Sequence, residues 1–364
     1  MAHIAIDARI INSSTGRYVE RLITYLQKVD SKNQYSILVR AKDRDFWTPT
    51  NPNFTIHIAE FDNYSFSEQI GLKKLLDDLK PDLVHFCMPQ QPLWYTGKKV
   101  TTFHDLTLLK TYNSDKNWLV FHAKQKIGKF AFKHALNSNN HIIAVSDFTR
   151  QEIKNLTSVD DKKISVIYEA SDVDTTTPKK IPLPFKKYIL YVGQQSDYKN
   201  IKRLGDAHQL LKAKYPNLGL VLAGKKNAAA LTNEEYFATQ KYKDIHFTDF
   251  IPDTQLSWLY TNAEVYVFPS LMEGFGLPGL EAMSHKLPVI SSDATCLPEV
   301  YGKAAHYFTP TDTSDIARAI DDVLSDETLR NHLIKEGQKQ LKKYSWYKMA
   351  KETHAVYEKV LREK

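Results

Sequence analysis

The feature that most narrows the fold is a rhythm: short apolar runs alternate with amphipathic stretches, stop at a proline-rich tract, and then resume. HIAIDA (3–8) leads to TGRYVERLITYLQKV (15–29), and that to YSILVR (35–40) and FTIHIAE (54–60). The first, third and fourth read as strands and the second as a helix, because its apolar residues recur with the helical period. The alternation continues through a helix near 66–79, LVHFCM (83–88), VTTFHD (100–105), a long helix near 115–136, HIIAVS (141–146), a helix near 147–156 and ISVIYEA (164–170). Strands separated by helices pair in parallel, since a parallel neighbour needs a crossover connection.

Between Ala170 and Lys187 the text SDVDTTTPKKIPLPFKK packs three prolines and three threonines and keeps neither period. It reads as a linker, 173–187, after a first domain of 1–172. A second series follows over 188–344: YILYVG (188–193), a helix from Lys199, LGLVLAG (218–224), a helix near 231–240, IHFTDF (245–250), a helix near 253–262, VYVFPS (265–270), a helix from Leu277 and PVISSD (288–293). The expected architecture is α/β, two doubly wound Rossmann-like domains in tandem. Ligands of such sheets bind beyond the carboxyl ends of the strands, which predicts a cleft where the two sets of ends face. A chain of 364 residues is long enough for each domain to bury its own core.

A 42 % hydrophobic and 25 % charged composition excludes disorder as a main theme. The net charge of +7 favours phosphates or an anionic membrane as partners, but 49 basic and 42 acidic residues are interleaved, so nucleic acid is not expected. No apolar run approaches the ~18 residues that cross a bilayer, and a cytoplasmic protein is expected. Cys87 and Cys296 have no ligand or redox spacing and read as reduced and structural.

Every motif with chemical content falls at the end of an expected strand. In FPSLMEGFGLPGLEAMSHKLPVISSD (268–293) a strand runs into Glu273-Gly274-Phe275-Gly276 and then a helix from Leu277 that carries Glu281. The glycines admit a ligand close to the backbone, and the helix start offers N–H groups and a positive dipole end to a phosphate. Glu273 can accept hydrogen bonds from sugar hydroxyls and Glu281 from a ribose. In YVGQQSDYKN a strand ends at Gly193 and Lys199 opens the next helix, placing an ammonium where a diphosphate would need neutralising. His104-Asp105 ends VTTFHD, and a histidine there can donate to a sugar hydroxyl. Ser14-Thr15-Gly16-Arg17 forms the first strand-to-helix turn, with the amide of Gly16 expected to face the diphosphate; it lacks the three glycines of the dinucleotide fingerprint. Asp43-Arg44-Asp45 spells a metal-binding DxD but reads as a solvated loop.

The segment 268–293 resembles the signature of family 4 glycosyltransferases, retaining enzymes of the GT-B fold. The resemblance extends over TTFHDLTLLKTY (101–112), IIAVSDFTRQEI (142–153), VIYEASDV (166–173), YVGQQSDYKNIKRL (191–204), PDTQLSWLYTNAEVYVFPS (252–270) and CLPEVYGKAA (296–305). It implies that Glu273 contacts the transferred sugar and that the amides of Phe275, Gly276 and Leu277 meet sugar or phosphate. It also implies that Glu281 holds the ribose, Lys199 the diphosphate, and that His104 lies near the anomeric centre. Base recognition would fall near Gly224–Lys225 and Ile251–Pro252. Many members carry an arginine directly after Gly193; this chain has Gln194, which can donate only a neutral hydrogen bond, and Arg203, a turn beyond Lys199, is the candidate substitute.

The implied function is retaining transfer of a hexose to a glycan or lipid-linked acceptor hydroxyl. GDP-mannose is the favoured donor and a UDP-sugar the other, with no cofactor and no metal. The alternatives are a nucleotide-sugar epimerase or phosphorylase of related architecture, and a non-catalytic nucleotide-sugar-binding protein. The resemblance further implies that the final helix, within 345–364, packs back on the first domain. Lys110, Lys116, Lys124, Lys126, Lys129 and Lys133, mixed with Trp118, Phe121, Phe130 and Phe132, read either as an amphipathic helix with its aromatics inward, the preferred reading, or as a peripheral contact with an anionic membrane.

Overall fold

The computed structural model describes residues 1–13, 15–110, 118–172 and 176–363; the side chains of Leu108, Lys110, 118–125 and Ile127 are outside the description. The chain divides into two units. One runs from Met1 to Lys110, continues to Glu169 and takes in the segment from Ser345 onward; the other holds Ala170–Tyr344.

The first unit begins β1 (His3–Asp7), α1 (Gly16–Val29), β2 (Gln34–Val39), β3 (Phe54–Ile58), α2 (Lys73–Leu79), β4 (Leu83–Phe86) and β5 (Lys99–Phe103). It goes on through α3 (Thr107–Lys110), α4 (Trp118–Ser138), β6 (His141–Ala144), α5 (Asp147–Leu156) and β7 (Ile164–Val166). The strands form one parallel sheet in the order β3-β2-β1-β4-β5-β6-β7. β4, β5 and β6 are buried at every position, as strands covered by helices on both faces must be. On α1 the buried residues Tyr18, Val19, Leu22, Ile23 and Leu26 make one face, and each large apolar side chain so buried stabilises the unit by roughly 1.5–3 kcal/mol.

The second unit contains β8 (Lys187–Val192), α6 (Ile201–Leu211), β9 (Leu218–Ala223), α7 (Ala228–Thr239), β10 (Ile245–Asp249), α8 (Asp253–Asn262), β11 (Val265–Phe268), α9 (Leu277–Ser284) and β12 (Val289–Ser292). Four elements that the sequence reading passed over complete it: α10 (Leu297–Tyr301), β13 (Ala305–Phe308), α11 (Thr313–Ser325) and α12 (Glu327–Leu341). β13 is only AHYF, half apolar, too short for a period to show. The six strands are again parallel, ordered β10-β9-β8-β11-β12-β13.

The last helix, α13 (Trp346–Arg362), starts where Ser345 caps it by accepting from the amide of Lys348. Its buried stripe, Trp346, Met349, Ala350, Thr353, Val356, Tyr357 and Val360, keeps the helical period and lies along α1. Polar contacts fix its register on the first unit: Tyr357 Oη sits 2.5 Å from His85 Nδ1, His354 Nε2 lies 3.0 Å from Asp30, and Lys98 donates to the carbonyl of Val360 at 3.1 Å.

Candidate active site

In the second sheet the strand order runs outward in opposite directions from the neighbours β8 and β11, and a ligand of a doubly wound sheet sits beyond the carboxyl ends at that reversal. Two strand ends are stitched together there. Lys199 does not open α6, as the sequence suggested; it closes a 3₁₀ turn, Asp197–Lys199, and Asn200 in the left-handed region (φ 61°) separates that turn from the helix. Asn200 donates through Nδ2 to the carbonyls of Pro269 (3.1 Å) and Pro310 (2.7 Å), and the amide of Leu271 donates to Tyr198 (2.8 Å). These bonds tie the turn after β8 to the segment after β11.

The consequence is a contact between residues 74 apart in sequence: Lys199 Nζ lies 2.5 Å from Glu273 Oε1, with side chains only 14 % and 12 % exposed. Burial acts to lower the lysine's pKa, but the charge of Glu273 and the neighbouring Tyr191 and Tyr198 outweigh it and hold it above its ordinary value. Lys199 is therefore a cation at any physiological pH. Its ammonium also sits over the rings of Tyr198 and Phe268, at 5.1 and 5.4 Å from their centroids. Glu273 is pinned from a third strand end: its amide donates to Thr295 Oγ1 at 3.1 Å. Thr295, beyond β12, has φ 59°, a strained conformation for a β-branched residue, of the kind that costs ~1–3 kcal/mol and gathers at functional sites.

After Glu273 the backbone turns through Gly276 (φ 96°) into α9, with Pro278 in its first turn. Tyr301 Oη donates to the carbonyl of Gly276 at 2.5 Å, and a methyl group on Gly279 would lie 2.4 Å from atoms of that same buried phenol. Both glycines are thus required by the approach of one ring. Gly274 and Phe275 are buried within this turn, Leu277 starts the helix, and Glu281 accepts from Tyr260 Oη at 3.1 Å. On the other side of β8, Gly193 (φ 142°) and Gly224 (φ 152°) abut so closely that a methyl on Gly224 would fall 2.2 Å from the carbonyl oxygen of Gly193. Gln194 and Lys225 are exposed, Ile251 is half-buried beyond β10, and Arg203 on α6 bonds to Asn200 Oδ1 at 2.9 Å.

His104 and Gly16 belong to the first unit. His104 follows β5, and both ring nitrogens are engaged: Nδ1 with Glu169 Oε1 at 2.8 Å and Nε2 with the carbonyl of Cys87 at 3.0 Å. Gly16 differs from expectation. Its amide donates to the carbonyl of Ser13 at 3.0 Å, and glycine is required because a methyl there would lie 1.9 Å from Ile11 O. Asp43 also differs: it is buried in a 3₁₀ turn, Ala41–Phe46, and accepts from Asn12 at 3.0 Å, while Arg44 and Asp45 of the DxD are exposed. Ser14, Lys110, Lys116, Lys124, Trp118 and Phe121 lie outside the described side chains; in α4, Phe132 is buried while Phe130, Lys126, Lys129 and Lys133 are exposed. Among the described residues no group of three or more His, Cys, Asp or Glu could hold a metal ion, both cysteines are buried free thiols, and no helix is long and apolar enough to cross a membrane.

Sequence reasoning missed Asn200, Tyr260 and Glu169, although all three stand in segments quoted above for their resemblance, and Thr295, which lies between two of those segments. It also missed a buried triad at the end of β1. Arg9, fully buried, donates to Asp7 (2.7 Å) and Glu68 (2.7 Å), and to the carbonyl of Phe61.

Two parallel doubly wound sheets in one chain define the GT-B class, and the sucrose-phosphate synthase of Thermosynechococcus elongatus superposes with a TM-score of 0.79 over 99 % of both chains at 18 % identity. Residues 15–175 match Glycosyltransferase Family 4, and residues 174–340 match Glycosyl transferases group 1. The chain is 32 % identical over 275 residues to the O-antigen chain mannosyltransferase B of Escherichia coli, covering 71 % of this chain and 70 % of that one. It is 28 % identical over 376 residues to the serotype-specific mannosyltransferase WbdA of Escherichia coli, where it spans 94 % of itself and 44 % of the longer protein. The chain belongs to the family 4 glycosyltransferases and is a hexosyltransferase.

Proposed function

We propose that this enzyme transfers mannose from GDP-mannose, with retention, to a hydroxyl of a glycan or lipid-linked glycan acceptor, and that it does so without a metal. The observation that carries the reading is the Lys199–Glu273 contact at the β8/β11 reversal, beside the start of α9. The names of the two Escherichia coli relatives support mannose and a glycan acceptor.

In this reading the donor diphosphate displaces Glu273 from Lys199 and takes its place against the ammonium and the first amides of α9. A hydrogen bond to a charged group of this kind contributes ~1.5–3 kcal/mol, and more as charge grows on the departing oxygen. Glu273, released, accepts from the hydroxyls of the transferred sugar, Glu281 accepts from the ribose, and His104 donates to the sugar through Nε2 once that nitrogen leaves the carbonyl of Cys87. The acceptor oxygen bonds to the anomeric carbon from the face the diphosphate leaves, and a diphosphate oxygen takes the acceptor proton. Gly193, Gly224, Lys225 and Ile251 surround the base, while Gln194 and Arg203 stand near the phosphates.

A thermal-shift panel tests the donor. GDP and GDP-mannose are expected to raise the melting temperature, by the equivalent of about 2.7 kcal/mol at a hundredfold excess over Kd. Turnover of GDP-mannose is expected to survive a chelator. A shift with UDP and none with GDP would overturn the donor assignment. The exposed Phe130, Lys126, Lys129 and Lys133 of α4 support a peripheral contact with anionic lipid. Sedimentation with phosphatidylglycerol vesicles should fall when the three lysines are changed to glutamate, and unchanged sedimentation removes that contact.

A further inference from the structure

The loop that leads from Glu273 into α9 is held at both ends by one neighbouring segment. The amide of Glu273 donates to Thr295 Oγ1 at 3.1 Å, and the carbonyl of Gly276 accepts from Tyr301 Oη at 2.5 Å. Thr295 stands just before α10 and Tyr301 ends it. The segment is itself anchored at the end of α12, where the carbonyl of Val300 accepts from Gln340 Nε2 at 2.7 Å and from Tyr344 Oη at 2.8 Å. The Tyr344 ring also meets Phe275 edge-on, with centroids 5.5 Å apart. The peptide planes of the loop are thus set by helical elements packed around it.

Thr295 is the unexpected member of this clamp. β12 ends at Ser292, whose Oγ accepts from the amide of Ala294 at 3.0 Å, and Cys296 is already back in the right-handed region at φ −78°. The reversal between them falls on Thr295, the only β-branched residue at positive φ among the described residues. Glycine would make that turn without the clash of a branched Cβ against the backbone. What glycine lacks is the hydroxyl that receives the amide of Glu273. A strained residue whose side chain supplies the contact is the pattern in which surrounding structure keeps strain at a working site.

We propose that Thr295 is a positioning residue for sugar transfer. Its hydroxyl fixes the peptide that carries Glu273, so that this carboxylate and the first amides of α9 keep one spacing as the reaction proceeds. With the backbone held at Glu273 and at Gly276, the exchange of partners at Lys199 moves the Glu273 side chain alone. For its kinetic consequences this rests on the reading of Glu273 and α9 given above; for the hold on the loop it rests on the hydrogen bonds.

Three variants test it. Thr295→Val keeps shape and strain and removes the acceptor, Thr295→Ser keeps the acceptor, and Thr295→Gly removes both strain and acceptor. In Thr295→Val kcat should fall roughly 10- to 100-fold with donor KM nearly unchanged, as a small misplacement of a reacting group produces, and Thr295→Ser should stay near wild type. Thr295→Gly should melt above Thr295→Val yet turn over no faster, so that activity follows the hydroxyl while stability follows the strain. Wild-type kcat in a folded Thr295→Val overturns the proposal, and so does kcat that simply follows the melting temperature across the three. Hydrogen exchange of peptides covering 271–276 reads the hold without substrate: exchange should quicken in Thr295→Val and not in Thr295→Ser, and equal rates in both overturn it. If the wild-type enzyme turns over no nucleotide sugar, the functional reading fails while the exchange result still decides whether Thr295 holds the loop.

Discussion

Replacing Lys199 with alanine is expected to lower kcat roughly 100- to 1,000-fold, the usual effect of removing one preorganised contact to a developing oxyanion. Arg203 is held by Asn200 Oδ1, and the position after Gly193, where relatives often place an arginine, is the neutral Gln194. Glu273→Gln should lose a comparable factor in kcat, because its carboxylate is needed only once the sugar is bound and reacting, and so should raise donor KM less than Lys199→Ala does. Steady-state kinetics beside circular-dichroism melts separate these effects from unfolding. Turnover near wild type in both folded variants would remove the site from this end of the sheet.

The second large effect is on stability. Arg9→Met removes the only cation, among the described residues, in contact with two buried carboxylates, Asp7 and Glu68, and uncompensated charge of that kind costs roughly 3–5 kcal/mol. For a unit of this size the melting temperature of the first unit should fall on the order of 10 °C. The pH dependence has a definite sign. Burial raises the pKa of Glu68 and Arg9 offsets part of that, leaving it above the ordinary carboxylate value. The folded protein therefore binds more protons at Glu68 than the unfolded chain, and this contribution to stability is complete below the unfolded pKa and is lost as pH rises through the folded one. Without Arg9 the offset disappears, so Arg9→Met should regain stability on acidification more steeply than the wild type. Melts of both proteins between pH 7 and the mildly acidic range check it, and equal slopes would rule out the triad as the cause.

Much of this was legible because a parallel sheet covered on both faces writes itself as runs such as YILYV and VYVF, and because the rule of strand ends then gathers Lys199 and Glu273 at one place without any contact being known. What was not legible depends on backbone geometry that residue type does not announce. Asn200 and Thr295 adopt left-handed conformations that delay α6 and pin Glu273, and neither is a glycine. The Glu169–His104 pair and the Arg9 triad join residues 59 to 65 apart through strands whose order only the sheet reveals. Gly16 was read for its amide when the constraint is the crowding of Ile11 O.

The return of α13 to α1 has a consequence for biosynthesis. β1–β7 leave the ribosome first, yet the apolar flank of α1 stays uncovered until Trp346–Arg362 has emerged, whereas Ala170–Tyr344 is contiguous and finds all its partners earlier. Synthesis order and completion order are thus reversed: the half made first is finished last, and a nascent chain stalled shortly before residue 345 would expose the greasy side of its opening helix to chaperones and proteases.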